Sequence, residues 1–332
     1  MPESLRSLPS IALADTGRTT TRLGFGCSGL MGGITERESL RLLDTAYDAG
    51  IRHFDVAPSY GHGAAERCLG RFLRGKHAEV TITTKYGILP PRHEGALNLA
   101  RKFIRPVVRQ LPSVRRRVAQ AATGLKVRAN FSVKEAKASL DHSLQELGLE
   151  RIDVWLLHEA TVDDLADNVL LEFLQEQVQR RRIGTFGVGS ETKRILDIWK
   201  NQSEYCHVLQ FEWPGFAREA AADAGFFPGA FLVHHRVVQE FLLAISEQLE
   251  RNLSLQKGWS DALDIDLSDR QNIAALLLKT ALLAHPGGIV LFSSRMPAHI
   301  LANVRVVADD QWNERAIRFR DLVLRMDASL PE

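Results

Sequence analysis

Short apolar runs alternate along this chain with longer stretches in which apolar positions recur every three or four residues. The runs read as β-strands and the stretches as amphipathic α-helices, an alternation that predicts parallel βαβ units. Strands are expected over residues 23–26, around Phe54, and over 80–84, 152–157, 185–188, 208–211, 231–234 and 289–292. Helices are expected over 35–49, 64–73, 132–147, 169–180, 191–199, 237–249, 269–284, 297–307 and 313–325. Thr35-x-x-Glu38 and Ser132-x-x-Glu135 are capping boxes, and Gly50 and Gly148 stand where a helix stops. Eight strands, each followed by helix, predict a single-domain (β/α)₈ TIM barrel over residues 1–332. A doubly wound open sheet fits less well, because the helix after Gly24-Phe-Gly26-Cys-Ser-Gly29 starts too late for a dinucleotide-binding turn. Two stretches, 87–130 and 215–229, break the rhythm. The first leaves the C-terminal end of the third strand, the side on which barrel enzymes build their sites, so it is expected over or beside a pocket.

Composition changes this picture little. A formal net charge of +2 marks no preferred class of partner. Cys27, Cys68 and Cys206 show no CxxC spacing, which argues against a disulfide framework or a structural zinc site, and no other metal site is expected. The first twenty or so residues carry no signal-peptide pattern, and no uncharged stretch reaches the roughly 18 residues of a membrane span. A reducing cytoplasm is therefore the expected compartment.

The chemistry gathers at strand ends. Asp55 and Tyr60 lie in Gly50-Ile-Arg-His-Phe-Asp55-Val-Ala-Pro-Ser-Tyr60-Gly61, Lys85 ends the third run, and His158 ends Ile152-Asp-Val-Trp-Leu-Leu-His158. In a parallel barrel such ends converge on one mouth. A phenol, an ammonium, a carboxylate and an imidazole together suit proton delivery to a carbonyl oxygen as hydride reaches its carbon. The ammonium favours the phenolate and so lowers a phenol pKa that is otherwise near 10. Asp55 would hold Lys85 charged, and a neutral His158 would orient the substrate oxygen.

This order of residues resembles the aldo-keto reductase family. The stretch Gly-x-Arg-x-x-Asp-x-Ala-x-x-Tyr-Gly with a further glycine at Gly70 is matched at every position, and Lys85 and His158 fall in matching strand-end motifs. The resemblance implies catalytic roles for Asp55, Tyr60, Lys85 and His158, and a bound nicotinamide cofactor without a Rossmann fold. It implies that Gln210 and Ser190 hold the carboxamide, and that Ser294, Arg295 and Asn303 hold the adenosine-phosphate end. Arg295 suits a 2′-phosphate, which favours NADPH, with NADH possible. Ser190 stands where the family usually has Asn, Ala302 where it has Glu, and Ser293 where it has Gly. Cys27 and Ser28 replace a usual Thr and Trp and suggest a roomier substrate pocket; His234 or His235 replaces an aromatic near the seventh strand, and His234 is taken as the pocket residue. The implied reaction is NAD(P)H-dependent reduction of an aldehyde, ketone or sugar, or its reverse. The alternative is a cofactor-binding sensor or regulatory barrel with little turnover.

Residues 92–128 carry ten Lys or Arg and one acidic residue, Glu94. Three roles are open: a solvated helical hairpin, a lid that attracts an anionic or sugar-like substrate, or a patch that rests on an anionic membrane surface or a partner protein. Nucleic acid is not expected, because Phe103 is the single aromatic residue that the stretch offers for base stacking.

Overall fold

The strands form where β-branched and other apolar residues cluster between charged turns, and they close on themselves. The computed structural model describes residues 7–89, 127–216 and 223–326. Its eight parallel strands are β1 (Leu23–Gly26), β2 (His53–Asp55), β3 (Thr81–Tyr86), β4 (Ile152–His158), β5 (Ile183–Gly189), β6 (Val208–Glu212), β7 (Phe231–His235) and β8 (Ile289–Phe292). They form one closed barrel in the order β6-β7-β8-β1-β2-β3-β4-β5. The predicted barrel is therefore the observed one. Helices pack outside it: α1 (Glu36–Asp48), α2 (Ala65–Phe72), α3 (Val133–Leu147), α4 (Asn168–Gln179), α5 (Thr192–Asn201), α6 (Phe241–Arg251), α7 (Leu253–Leu263), α8 (Arg270–Ala284), α9 (Pro297–Ala308) and α10 (Gln311–Arg325). Thr35 and Glu38 form the expected reciprocal box, whereas the second box is half made: Ser132 accepts from Glu135 N, but the Glu135 carboxylate accepts from Asn130 N.

Helix α7 is absent from the sequence expectation. Its signal is legible in hindsight, since Asn252 caps it by accepting from Leu255 N, and Leu255, Trp259 and Leu263 recur every four residues.

Side chains alternate in and out along each strand. Val154, Leu156, Val208, Phe231, Val233, Ile289 and Leu291 fill the barrel interior, joined by Leu13 from a hairpin (Ser10–Ala12 with Thr19–Thr21) that plugs the N-terminal end. The interior is lopsided. Strands β2 and β3 contribute His53, Asp55, Thr81, Thr83 and Lys85 instead of hydrocarbon, all buried. At the other end, Ile88–Leu89 pairs antiparallel with Val127–Arg128. This ladder forms the base of the basic segment, most of which lies outside the described residues. Arg128, the one member of the basic run that is described, pairs with Asp164 and lies over the Phe131 ring. The tip of the 215–229 stretch also lies outside the described residues.

Candidate active site

Strand register decides which residues share the mouth. Lys85 pairs with Leu156, an interior residue, so Lys85 points inward. Asp55 pairs with Thr83, which pairs with interior Val154. His158 lies two residues beyond Leu156, and Gln210 two beyond Val208, so both share the inward parity.

The centre is an ion pair. Lys85 Nζ donates to Asp55 Oδ1 and Oδ2, both at 2.6 Å, and to Val56 O at 3.1 Å. Both side chains are buried, at 3 and 5% exposure. Tyr60 enters from the turn after β2, with its ring centroid 5.3 Å from Lys85 Nζ. The turn needs left-handed backbone at Gly61, where a Cβ would lie 2.6 Å from Met31 Cβ. Gly87 has a similar duty: at φ +140° it lets the chain leave β3 beside β4, where a Cβ would lie 2.1 Å from His158 O.

Electrostatics divide these groups. Burial acts to lower the Lys85 pKa, but Asp55, Tyr60 and Cys27 raise it and prevail, so the ammonium is kept charged. Burial is also the largest influence on the Tyr60 phenol and raises it; Lys85 opposes, Asp55 and Cys27 add to the rise, and the net displacement is upward. The expected lowering is thus corrected for the free protein: the lysine acts in the expected direction without overcoming burial. Tyr60 and His158 keep partial exposure at the mouth.

The expected cofactor residues are spread over three strand ends. Gln210 is buried and its Nε2 donates across the barrel to Asp55 Oδ2 at 2.8 Å. Ser190 follows β5 and donates to Glu159 Oε2 at 3.0 Å. Arg194 Nη1 also donates to that carboxylate, at 2.6 Å. Glu159 was not singled out from the sequence; it follows His158 with a left-handed φ of 61°, which no sequence signal announces. Arg295 is exposed beyond β8 and donates to Gly32 O at 3.0 Å. Ser294 accepts from Met296 N at 3.1 Å, and Asn303 lies half-buried on α9.

The substrate-side residues sort differently from expectation. Ser28 is exposed near the mouth, whereas Cys27 is fully buried, with its thiol pushed well up by burial first and Asp55 second. His234 does not line the pocket. Its ring faces outward, 4.7 Å from the Phe211 ring and 4.0 Å from that of His285. Strand parity places His235 at the mouth instead, where burial first, then Arg236 and Lys85, depress its imidazole to about 3.

The family model described as the aldo/keto reductase family matches residues 22–212, more than half of the chain. The chain belongs to the aldo/keto reductase family. A D-threo-aldose 1-dehydrogenase of Pseudomonas sp. is 33% identical over 162 residues, covering 46% of this chain and 44% of the relative. A pyridoxal 4-dehydrogenase of Microbacterium luteolum is 33% identical over 160 residues, covering 47% and 44%. This aldo/keto reductase thus spans less than half the length of either curated relative. Two solved structures share its fold. An aldo-keto reductase of Bacillus halodurans, in its holo form, superposes with a TM-score of 0.68 at 18% identity, covering 94% of this chain and 96% of that one. A glycerol dehydrogenase of Gluconobacter oxydans gives 0.68 at 18% identity, with 97% of each chain covered. No helix among the described residues is long and apolar enough to cross a membrane.

Proposed function

We propose that this aldo/keto reductase is an NAD(P)H-dependent oxidoreductase acting between carbonyl and alcohol, with Tyr60 as the proton donor in reduction and, as phenolate, the base in oxidation. The observation that carries this reading is the buried Asp55–Lys85 pair with the Tyr60 ring 5.3 Å from the ammonium. Lys85 stabilises the phenolate left after proton transfer, Asp55 keeps Lys85 charged and in place, and His158 hydrogen-bonds the substrate oxygen to fix its approach to Tyr60.

The residues present fit a dinucleotide phosphate. The first turn of α9 has no side-chain cap, Pro297 stands at its start, and Arg295, whose guanidinium bonds Gly32 O, precedes it in the chain, a donor set suited to an anion. Ser294, Arg295 and Asn303 would hold the phosphate-bearing adenosine end, and Ser190 and Gln210 the carboxamide. The nicotinamide, when bound, supplies or accepts the hydride. Arg295 favours NADPH over NADH.

The substrate is proposed to be a small aldehyde, ketone or sugar. The dehydrogenase names of the two relatives suit the oxidative direction, in which Tyr60 takes the hydroxyl proton of a hemiacetal or alcohol. The contacts that Ser190, Gln210 and Arg295 make within the protein favour a second reading, a barrel that binds cofactor and turns over slowly, since each must be rearranged to reach a ligand.

Titration with NADPH and NADH, followed by tryptophan fluorescence, tests the proposal. Binding of NADPH together with reduction of common aldehydes supports it. The Tyr60→Phe variant is expected to keep NADPH binding while losing carbonyl reduction by at least ~10²-fold. Reduction that survives in this variant removes Tyr60 as the acid, and no binding of either cofactor at millimolar concentration overturns the oxidoreductase reading.

A further inference from the structure

Strands β2 and β6 stand diametrically opposite in the barrel order. Their side chains nevertheless meet at the centre of the mouth. Gln210 Nε2 lies 2.8 Å from Asp55 Oδ2, the same oxygen that is 2.6 Å from Lys85 Nζ. All three residues are 2 to 4% exposed. A buried carboxylate needs more than one donor to offset its lost hydration. Here the Lys85 ammonium spans both oxygens, and the Gln210 amide adds a further donor at Oδ2.

We propose that Gln210 is a positioning residue for the proton donor: it holds the Asp55 carboxylate that fixes the Lys85 ammonium beside Tyr60. This is a role apart from any contact of Gln210 with cofactor. That Tyr60 is the donor rests on the oxidoreductase reading above.

Titratable groups face this centre from β1, β2, β3, β4 and β7. Lys85, Asp55 and Cys27 act on Tyr60 directly. Lys85 also acts on His53 below and on His235 from β7, and both imidazoles are held neutral, at about 3. His158 closes the β4 side at the mouth. With the amide donor removed, the Asp55 charge bears more fully on Tyr60, and the phenolate becomes harder to form.

The test uses the free protein, where cofactor contacts play no part. Tyrosinate absorbance is titrated in the intact protein, and the Tyr60 component is taken as the difference from Tyr60→Phe. In Gln210→Met, which keeps the length of the side chain without its donor, the Tyr60 titration is expected to move upward by about half to one pH unit. Gln210→Asn keeps an amide but is one methylene too short for the bond, and carries the same expectation should the methionine variant not fold. At saturating NADPH the alkaline limb of kcat should move the same way. A Tyr60 titration unmoved in a folded Gln210 variant, with only the Kd for NADPH weakened, overturns the proposal and leaves Gln210 as a cofactor contact alone. Failure of the oxidoreductase reading shows separately, as absence of turnover in the unaltered protein, because the titration is made without cofactor or substrate.

Discussion

Lys85→Met isolates the charge at the heart of the site. Methionine retains most of the side-chain volume, so the loss is electrostatic. With the ammonium 5.3 Å from the centre of the Tyr60 ring, its attraction for a phenolate is about 3 kcal/mol at an effective dielectric constant near 20. That corresponds to about two pH units in the phenol, added to the rise that burial already imposes. Proton donation to a carbonyl ends in that phenolate, so kcat for reduction is expected to fall by roughly 10²-fold, and the pH limb for oxidation to move up by about two units. The variant also leaves Asp55 buried with the Gln210 amide as its remaining side-chain donor. Breaking a buried pair in this way costs about 3–5 kcal/mol, so folding must be verified by melting before kcat is read. The assay is steady-state turnover in both directions at saturating cofactor across a pH series. A folded Lys85→Met protein with kcat within tenfold of the unaltered protein, and with no displaced limb, would refute the assignment of Lys85 as the group that stabilises the phenolate.

Two further outcomes follow from charges elsewhere. His53, bonded to Thr81 Oγ1 at 2.9 Å, and His285 are buried and depressed to about 3 and about 4. Both are neutral when folded and bind protons near pH 6.5 when unfolded, so the stability they confer is full above about 6.5 and is lost as pH falls toward 4. At pH ~5 each costs about 2 kcal/mol relative to neutrality, and His285→Phe, which keeps a ring against His234, should remove its own share, about 2 kcal/mol, of the acid loss. A melting temperature that is flat between neutrality and that pH contradicts this account. Arg295→Ala removes the guanidinium before α9 and should weaken NADPH about tenfold or more while changing NADH little; equal weakening of both cofactors, read by fluorescence titration, counts against a 2′-phosphate contact.

Much of this molecule is set by local sequence. Two-residue and 3.6-residue periods mark the eight strands and most helices, and Thr35, Ser132 and Gly148 place helix ends by short-range hydrogen bonds or left-handed backbone. Asp55, Lys85 and His158 are visible as the chemically unusual residues near the ends of apolar runs, and a parallel barrel brings such ends together whatever the details. Other features depend on contacts that no local pattern encodes. Whether His234 or His235 faces the pocket turns on a single step of strand parity, fixed by the pairing of Val233 with Ile289 across β7 and β8. The bond from Gln210 to Asp55 spans 155 positions of chain and exists because the barrel closes between them. The net upward displacement of the Tyr60 phenol is a balance of burial against one ammonium, and burial is a property of the assembled mouth. Glu159 joins Ser190 and Arg194 only because β4 and β5 run side by side. Sequence alone thus determined which residue types could perform the chemistry and where the strands would end; tertiary structure decided which of them touch, because hydrogen bonds and desolvation act over a few ångströms between groups brought together by closure of the sheet.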